Sequence, residues 1–161
     1  MVNYHAFDYQ KALKHFGDEN SAHEMTKAFY HDHFSKMIED LHYSMMTMDF
    51  TQIRAYLHII RGTFGYISSD KVMQLAVSMS DAAHELSSEK IIARYLKFLH
   101  EAKVLKREVA DYLGEPVNTR DLDSFEQETK RNFGGSSKVV DIGETEGANK
   151  HDACCAGCNI F

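Results

Sequence analysis

The chain has 161 residues, with 18 Lys and Arg against 24 Asp and Glu and a formal charge of −6. That is one domain's worth of material at roughly 100–200 residues per domain, and without a basic excess nucleic acid is not an expected partner. No uncharged apolar run nears the roughly 18 residues of a membrane span, no signal-peptide core opens the chain, and three cysteines are too few for a disulfide framework.

One proline, nine glycines and no tryptophan suit helices. A short amphipathic stretch, Phe7 to Phe16, closes at Gly17. Ser21 and Glu24 have capping-box spacing and lead into Met25, Phe29, Phe34, Met37, Ile38, Leu41, Met45 and Met48. Asp49 with Gln52 opens a helix over 49–67 whose apolar stripe is Ile53, Leu57, Ile60, Phe64 and Ile67. Asp70 can cap the next, with Val72, Leu75, Ala76, Met79, Ala83 and Leu86. Ser88 can cap the last, which carries Ile91, Tyr95, Phe98, Ala102, Leu105, Val109 and Tyr112. Steps of three and four mark each as an amphipathic helix. Four long helices with short connections predict an all-α protein, an antiparallel four-helix bundle with a short additional N-terminal helix.

The single proline, Pro116, divides two compositions. Residues 1–113 carry a net charge of −2 and nine of the ten histidines; residues 114–161 carry −4, six of the nine glycines and all three cysteines. Such a stretch cannot bury enough to offset its ordering entropy. The expected division is a helical domain over 1–113 and a flexible, largely disordered acidic tail over 114–161. Within that tail Leu122, Phe125 and Phe133 can form a short helix on the domain or on a partner.

Helix 49–67 breaks its own pattern. With its apolar stripe inward, at 100° per residue, His58, Gly62 and Gly65 face outward and Arg61 lies at the margin. Each glycine inside an exposed helix costs about 1 kcal/mol relative to alanine. The expectation is that the two glycines strip side chains from the surface beside His58, so that a partner can reach the imidazole. Arg61 can then hold an incoming anion. Ile59 and Tyr66, off the stripe, are the expected partner contacts.

The run His58-Ile59-Ile60-Arg61-Gly62-Thr63-Phe64-Gly65-Tyr66-Ile67 resembles the H-x-L-K-G-S signature of histidine-containing phosphotransfer (HPt) domains. Phe7-Asp8 through Gly17-Asp18, Phe29 and Phe34, Asp49, and Val72 to Met79 follow the same family's plan over about residues 5–112. The resemblance implies that His58 accepts a phosphoryl group from a receiver-domain phosphoaspartate and passes it to another receiver. Arg61 stands for the usual lysine, Gly62 leaves room for the partner, and Thr63 replaces the usual serine. Ser68 replaces a glycine, Ser80 a ring-orienting Gln or Glu, and His84 matches a basic position of some members. The implied partners are receiver domains of hybrid histidine kinases and response regulators, whose own site holds the magnesium. The chain itself would be a cytoplasmic monomer with no cofactor and no kinase activity. The alternative is a non-catalytic helical adaptor that binds receivers without transfer, for which Ser80 is the main support.

Three further patterns invite readings. Glu39-x-x-His42 has di-iron spacing, but such a site needs a second motif and two more inward carboxylates, so no metal site is expected there, at His31 and His33, or at Asp81 and His84. Met45, Met46 and Met48 read as the end of a core helix. The terminal Cys158-Asn159-Ile160-Phe161 fits a prenylation box, phenylalanine favouring geranylgeranyl. Cys154 and Cys155 offer the second lipid that durable anchoring to a membrane needs. The competing reading, a metal or redox cluster with His151, demands four ligands in a strained loop.

Overall fold

The computed structural model describes residues 4–134, which are helical throughout apart from short connections and one isolated antiparallel bridge, Phe7 to Ser68. The helices are α1 (Tyr9–Phe16), α2 (Glu19–Ala28), α3 (Phe34–Met46), α4 (Phe50–Phe64), α5 (Asp70–His84), α6 (Ser88–Leu113) and α7 (Arg120–Phe133). A π-helical segment, Phe29–His33, joins α2 to α3 without a break. None of these helices is long and apolar enough to cross a membrane. The cysteine segment, with Cys154, Cys155 and Cys158, lies outside the described residues.

The apolar stripes meet in one core. Ile53, Leu57, Ile60 and Phe64 of α4, Val72, Ala76, Met79 and Ala83 of α5, and Ile91, Tyr95, Phe98, Ala102, Leu105 and Val109 of α6 are all fully buried. α3 adds Phe34, Ile38, Leu41 and Met45. In space α3 packs on α4, α4 on α5 and α5 on α6. Two expected core positions point outward instead. Leu86 is 65% exposed because it takes a left-handed conformation (φ 53°) in the α5–α6 turn, and Met25 is 39% exposed.

The π segment explains a spacing that the helical rhythm does not. Residues five apart on an α-helix differ by about 140° in direction, so Phe29 and Phe34 would not both face inward. The wider π turn, closed by the Phe34 N–H on the Phe29 carbonyl, corrects the phase. Phe29 then meets Phe34 edge-on at 5.6 Å and Phe64 at 5.0 Å, while Phe34 stacks on Phe64 at 5.4 Å.

Helix starts are displaced from their expected caps. Asp18, rather than Ser21, caps α2, its carboxylate accepting from the Ser21 N–H at 2.9 Å and hydroxyl at 2.7 Å. Ser69 and Ser87, not Asp70 and Ser88, occupy the N-caps of α5 and α6, without a side-chain bond. Asp49 caps α4 as its spacing predicts, accepting from Thr51 and Gln52 N–H at 3.1 and 3.0 Å.

An N-terminal strap fixes the other end of α4. Asp8 N–H donates to the Ile67 carbonyl and Ser69 N–H to the Ala6 carbonyl, both at 2.7 Å. The Glu108 carboxylate of α6 holds the strap by accepting from His5, Ala6 and Phe7 N–H at 2.8, 2.7 and 2.8 Å.

Residues 120–133, in the stretch whose composition reads as tail, form α7 and pack on α3 and α6. Leu122 and Thr129 are fully buried, and Phe125 stacks on His42 at 4.3 Å. The acids of α7 supply the rest. Asp121 pairs with Lys106 at 2.9 Å, Asp123 with Lys103 at 3.1 Å, Glu126 also with Lys103, and Glu128 with His42 at 3.1 Å. The short helix expected around Leu122, Phe125 and Phe133 thus forms on the domain, seated by apolar burial and by ion pairs together.

Two tests follow from this clasp. Leu122→Ala should destabilise the fold by about 2–4 kcal/mol, read by chemical denaturation. Hydrogen bonds from Lys103 and Lys130 lower the Glu126 carboxyl from 4.5 to about 2. Lys103 and Thr119 lower Asp123; burial alone would raise Asp121, but hydrogen bonding to Lys106 leaves it lowered. A carboxyl depressed in the folded state stabilises it above the unfolded pKa and loses that contribution as pH falls. The α7 amides should thus exchange hydrogen faster, relative to α6, as pH drops from about 4.5 toward about 2. Unchanged relative protection over that window would contradict the charged clasp.

Candidate functional site

α4 presents two faces with different chemistry. Its buried stripe leaves His58, Ile59, Arg61 and Gly62 exposed on the other side, and no Asp or Glu occurs between Phe50 and Phe64. Arg54, His58 and Arg61 fall within about 60° of one another around the helix. Seven lysines are paired with carboxylates, whereas among the described residues Arg54 and Arg61, like several other basic side chains, are not. The α4 face around the imidazole thus carries two arginines and no acid in a chain that is acidic overall.

The two glycines have different reasons. A Cβ at Gly62 would meet nothing within 4 Å, so no intramolecular packing demands glycine there. At Gly65 a Cβ would lie 2.6 Å from the Arg61 carbonyl oxygen. α4 ends at Phe64 rather than Ile67, because Ile67 and Ser68 N–H both turn back onto the Phe64 carbonyl at 3.1 and 2.8 Å. Gly65 thus serves the helix end, and only Gly62 clears the surface beside His58.

The remaining candidates fall around this face. Ile59 and Tyr66 are 47% and 39% exposed. Tyr66 stacks on His15 of α1, with centroids 3.8 Å apart and planes 19° from parallel. Thr63 is half-buried, and its hydroxyl donates to the Ile59 carbonyl at 3.0 Å, a bond within its own helix. Ser68 is fully buried behind the turn.

The facing helix is placed by two contacts. Arg54 Nη1 lies 3.3 Å from His84 Nδ1, and a Cβ on Gly65 would lie 3.6 Å from the Met73 methyl. Each step back along α4 is a step forward along α5, so this register sets Ser80 level with His58 and Val77 level with Arg61. Ser80 is half-buried and Val77 is 36% exposed. His84 is engaged by Arg54 rather than standing free.

Two other histidines are structurally employed. His31 bonds Glu115 at 3.0 Å. Burial keeps the Tyr95 phenol protonated, with the Glu128 charge adding to the effect. The Glu128 carboxylate only accepts, so His42 Nε2 donates to it at 3.1 Å, which leaves the Nδ1 lone pair to accept from the Tyr95 hydroxyl at 3.0 Å. His42 thus joins α3, α6 and α7, and its E-x-x-H spacing with Glu39 has no part in that. Among the described residues no three His, Cys, Asp or Glu side chains gather as a metal site.

Sequence reasoning passed over Arg54 and His15. The spacing Arg54–His58–Arg61 was readable as one stripe; the His15–Tyr66 stack joins distant segments and leaves no local signal. Comparison of the chain with protein-family models, curated proteins and solved structures gives no match.

The glycine environments predict opposite outcomes. Gly62→Ala should raise stability by about 0.5–1 kcal/mol, the usual helix-interior gain, whereas Gly65→Ala should lower it. Thermal denaturation of both variants checks this; two shifts of the same sign would contradict the assignment.

Proposed function

We propose that the chain is a phosphorelay intermediate of the HPt type. In this reading α3 to α6 correspond to that family's antiparallel four-helix bundle, with α1 as the additional N-terminal helix. His58 takes a phosphoryl group from a receiver-domain phosphoaspartate and passes it to a second receiver. The observation that carries the reading is His58 itself, exposed on a carboxylate-free helix face beside a glycine that opens onto empty space. An unmodified protein surface has no use for that glycine, and a docking receiver has.

The chemistry asks little of this chain. A ring nitrogen of neutral His58 uses its lone pair to form an N–P bond. The P–O bond to the aspartyl carboxyl breaks, and its electron pair stays on the restored carboxylate. The other ring nitrogen keeps its proton until it is lost to solvent. Transfer of this kind depends on positioning and charge stabilisation. Arg61, one turn from His58, steadies the phosphoryl oxygens, while Ile59, Val77 and the Tyr66–His15 stack form the apolar rim for docking. The receiver brings its own magnesium. Ser80, level with the imidazole, can orient it only through a short hydroxyl or a bridging water.

A separate proposal rests on the Cys158-Asn159-Ile160-Phe161 run, which lies outside the described residues. Geranylgeranylation of Cys158, with Cys154 or Cys155 acylated, would place the relay on the cytoplasmic face of a membrane. Mass spectrometry of the native C-terminal peptide should show the lipid on Cys158; an intact Cys158-Asn159-Ile160-Phe161 ending would remove the membrane assignment.

The decisive variant is His58→Gln. Mixed with a phosphorylated receiver, it should take up no phosphate while its helical circular dichroism stays that of the parent. Uptake that persists in the variant would refute the role of His58. Parent chain that binds receivers but never becomes phosphorylated would instead be the adaptor.

A further inference from the structure

Arg54 lies four residues before His58 and Arg61 three after it, on one stripe of α4. At 1.5 Å rise per residue, the Arg54 and Arg61 stems start about 6 and about 4.5 Å along the axis from that of His58, one on either side. An extended arginine spans that distance. Neither guanidinium pairs with a carboxylate among the described residues, and α4 carries no acid to compete for them.

The hold on Arg54 is informative. A guanidinium only donates, so at 3.3 Å from Arg54 Nη1 the His84 Nδ1 must accept, which places the ring proton on Nε2. That contact is longer than an ordinary N–H hydrogen bond. It keeps the side chain in the α4–α5 groove without committing it. A phosphoryl oxygen offers a shorter, charge-assisted and bidentate partner, and the exchange favours the phosphoryl group. Glu85 pairs with Lys90 at 2.6 Å, and Asp81, exposed on α5 about one turn before His84, forms no ion pair with Arg54 or Arg61.

We propose that Arg54 is a second cation for the phosphoryl group on His58, acting from the side opposite Arg61 and held ready by His84. The proposal rests on the phosphotransfer reading. It assigns to α4 the charge that a basic side chain from α5 would otherwise supply, since His84 is turned onto Arg54.

The test uses the full chain with two phosphoryl donors, phosphoramidate and a receiver domain charged with acetyl phosphate. Parent protein should become phosphorylated on His58 with both. Arg54→Gln should lower the maximal transfer rate from the receiver about tenfold while the half-saturating receiver concentration changes less than twofold. Arg54→Lys should recover part of the rate, because it restores the charge but not the two-point guanidinium contact. Wild-type rates in Arg54→Gln, or equal slowing by Gln and Lys, would overturn the role of Arg54 and leave the relay standing. Parent protein that accepts phosphate from neither donor would overturn both.

Discussion

Burial of Ile53, Leu57, Ile60 and Phe64 is the constraint on which the site depends. Each fully buried aliphatic or aromatic side chain of this size contributes about 1.5–3 kcal/mol, so four on one stripe fix the rotation of α4 about its axis. His58, Arg61 and Gly62 then have nowhere to face but solvent. A rotation sufficient to bury the imidazole would expose Leu57 or Ile60. The histidine is therefore presented by the core, and no local network is needed to display it.

Both ends of that helix are also tied down. Asp49 satisfies the first free N–H groups, and the strap from Ala6 to Asp8 grips the turn that follows Phe64. Glu108 holds the strap through three backbone N–H groups, so α6 indirectly fixes where α4 stops. On the far side, His42 and the lysines at 103 and 106 bind α7 through its acids. Those lysines are almost fully buried and would be costly to leave unpaired. α7 is thus more than an appendage, and its charge, which looks like a disorder signal, helps to seat it beside the buried Leu122.

The parts of this fold that were legible in the sequence are those governed by a repeating rule. The stripes of α4, α5 and α6 follow steps of three and four, and their residues are buried with the exceptions of Leu75, Leu86 and Tyr112. Asp49 was readable because its carboxylate sits the right distance before the first turn. The rest depends on contacts between distant segments. Phe29 and Phe34 required a π turn that no local propensity announces. Ser21 lost its capping role to Asp18, which starts the helix nearly a turn earlier. α7 was legible as a short helix around Leu122, Phe125 and Phe133, but not its length or its seating, because composition measures what a segment can bury by itself, whereas here the partners include cations on α6. At the site, His58, Arg61 and Gly62 were visible as an anomaly on an amphipathic helix. The separate role of Gly65 emerged only from the closeness of the Arg61 carbonyl.

The central claim is that an exposed imidazole on α4 carries phosphate between receivers. The most direct measurement incubates the chain with a receiver domain bearing labelled phosphoaspartate and then maps the label by peptide mass spectrometry. The account predicts an acid-labile, base-stable phosphate on the peptide containing His58, which returns to a second receiver when one is added. Label that stays on the first receiver, or that appears on another side chain, would contradict it.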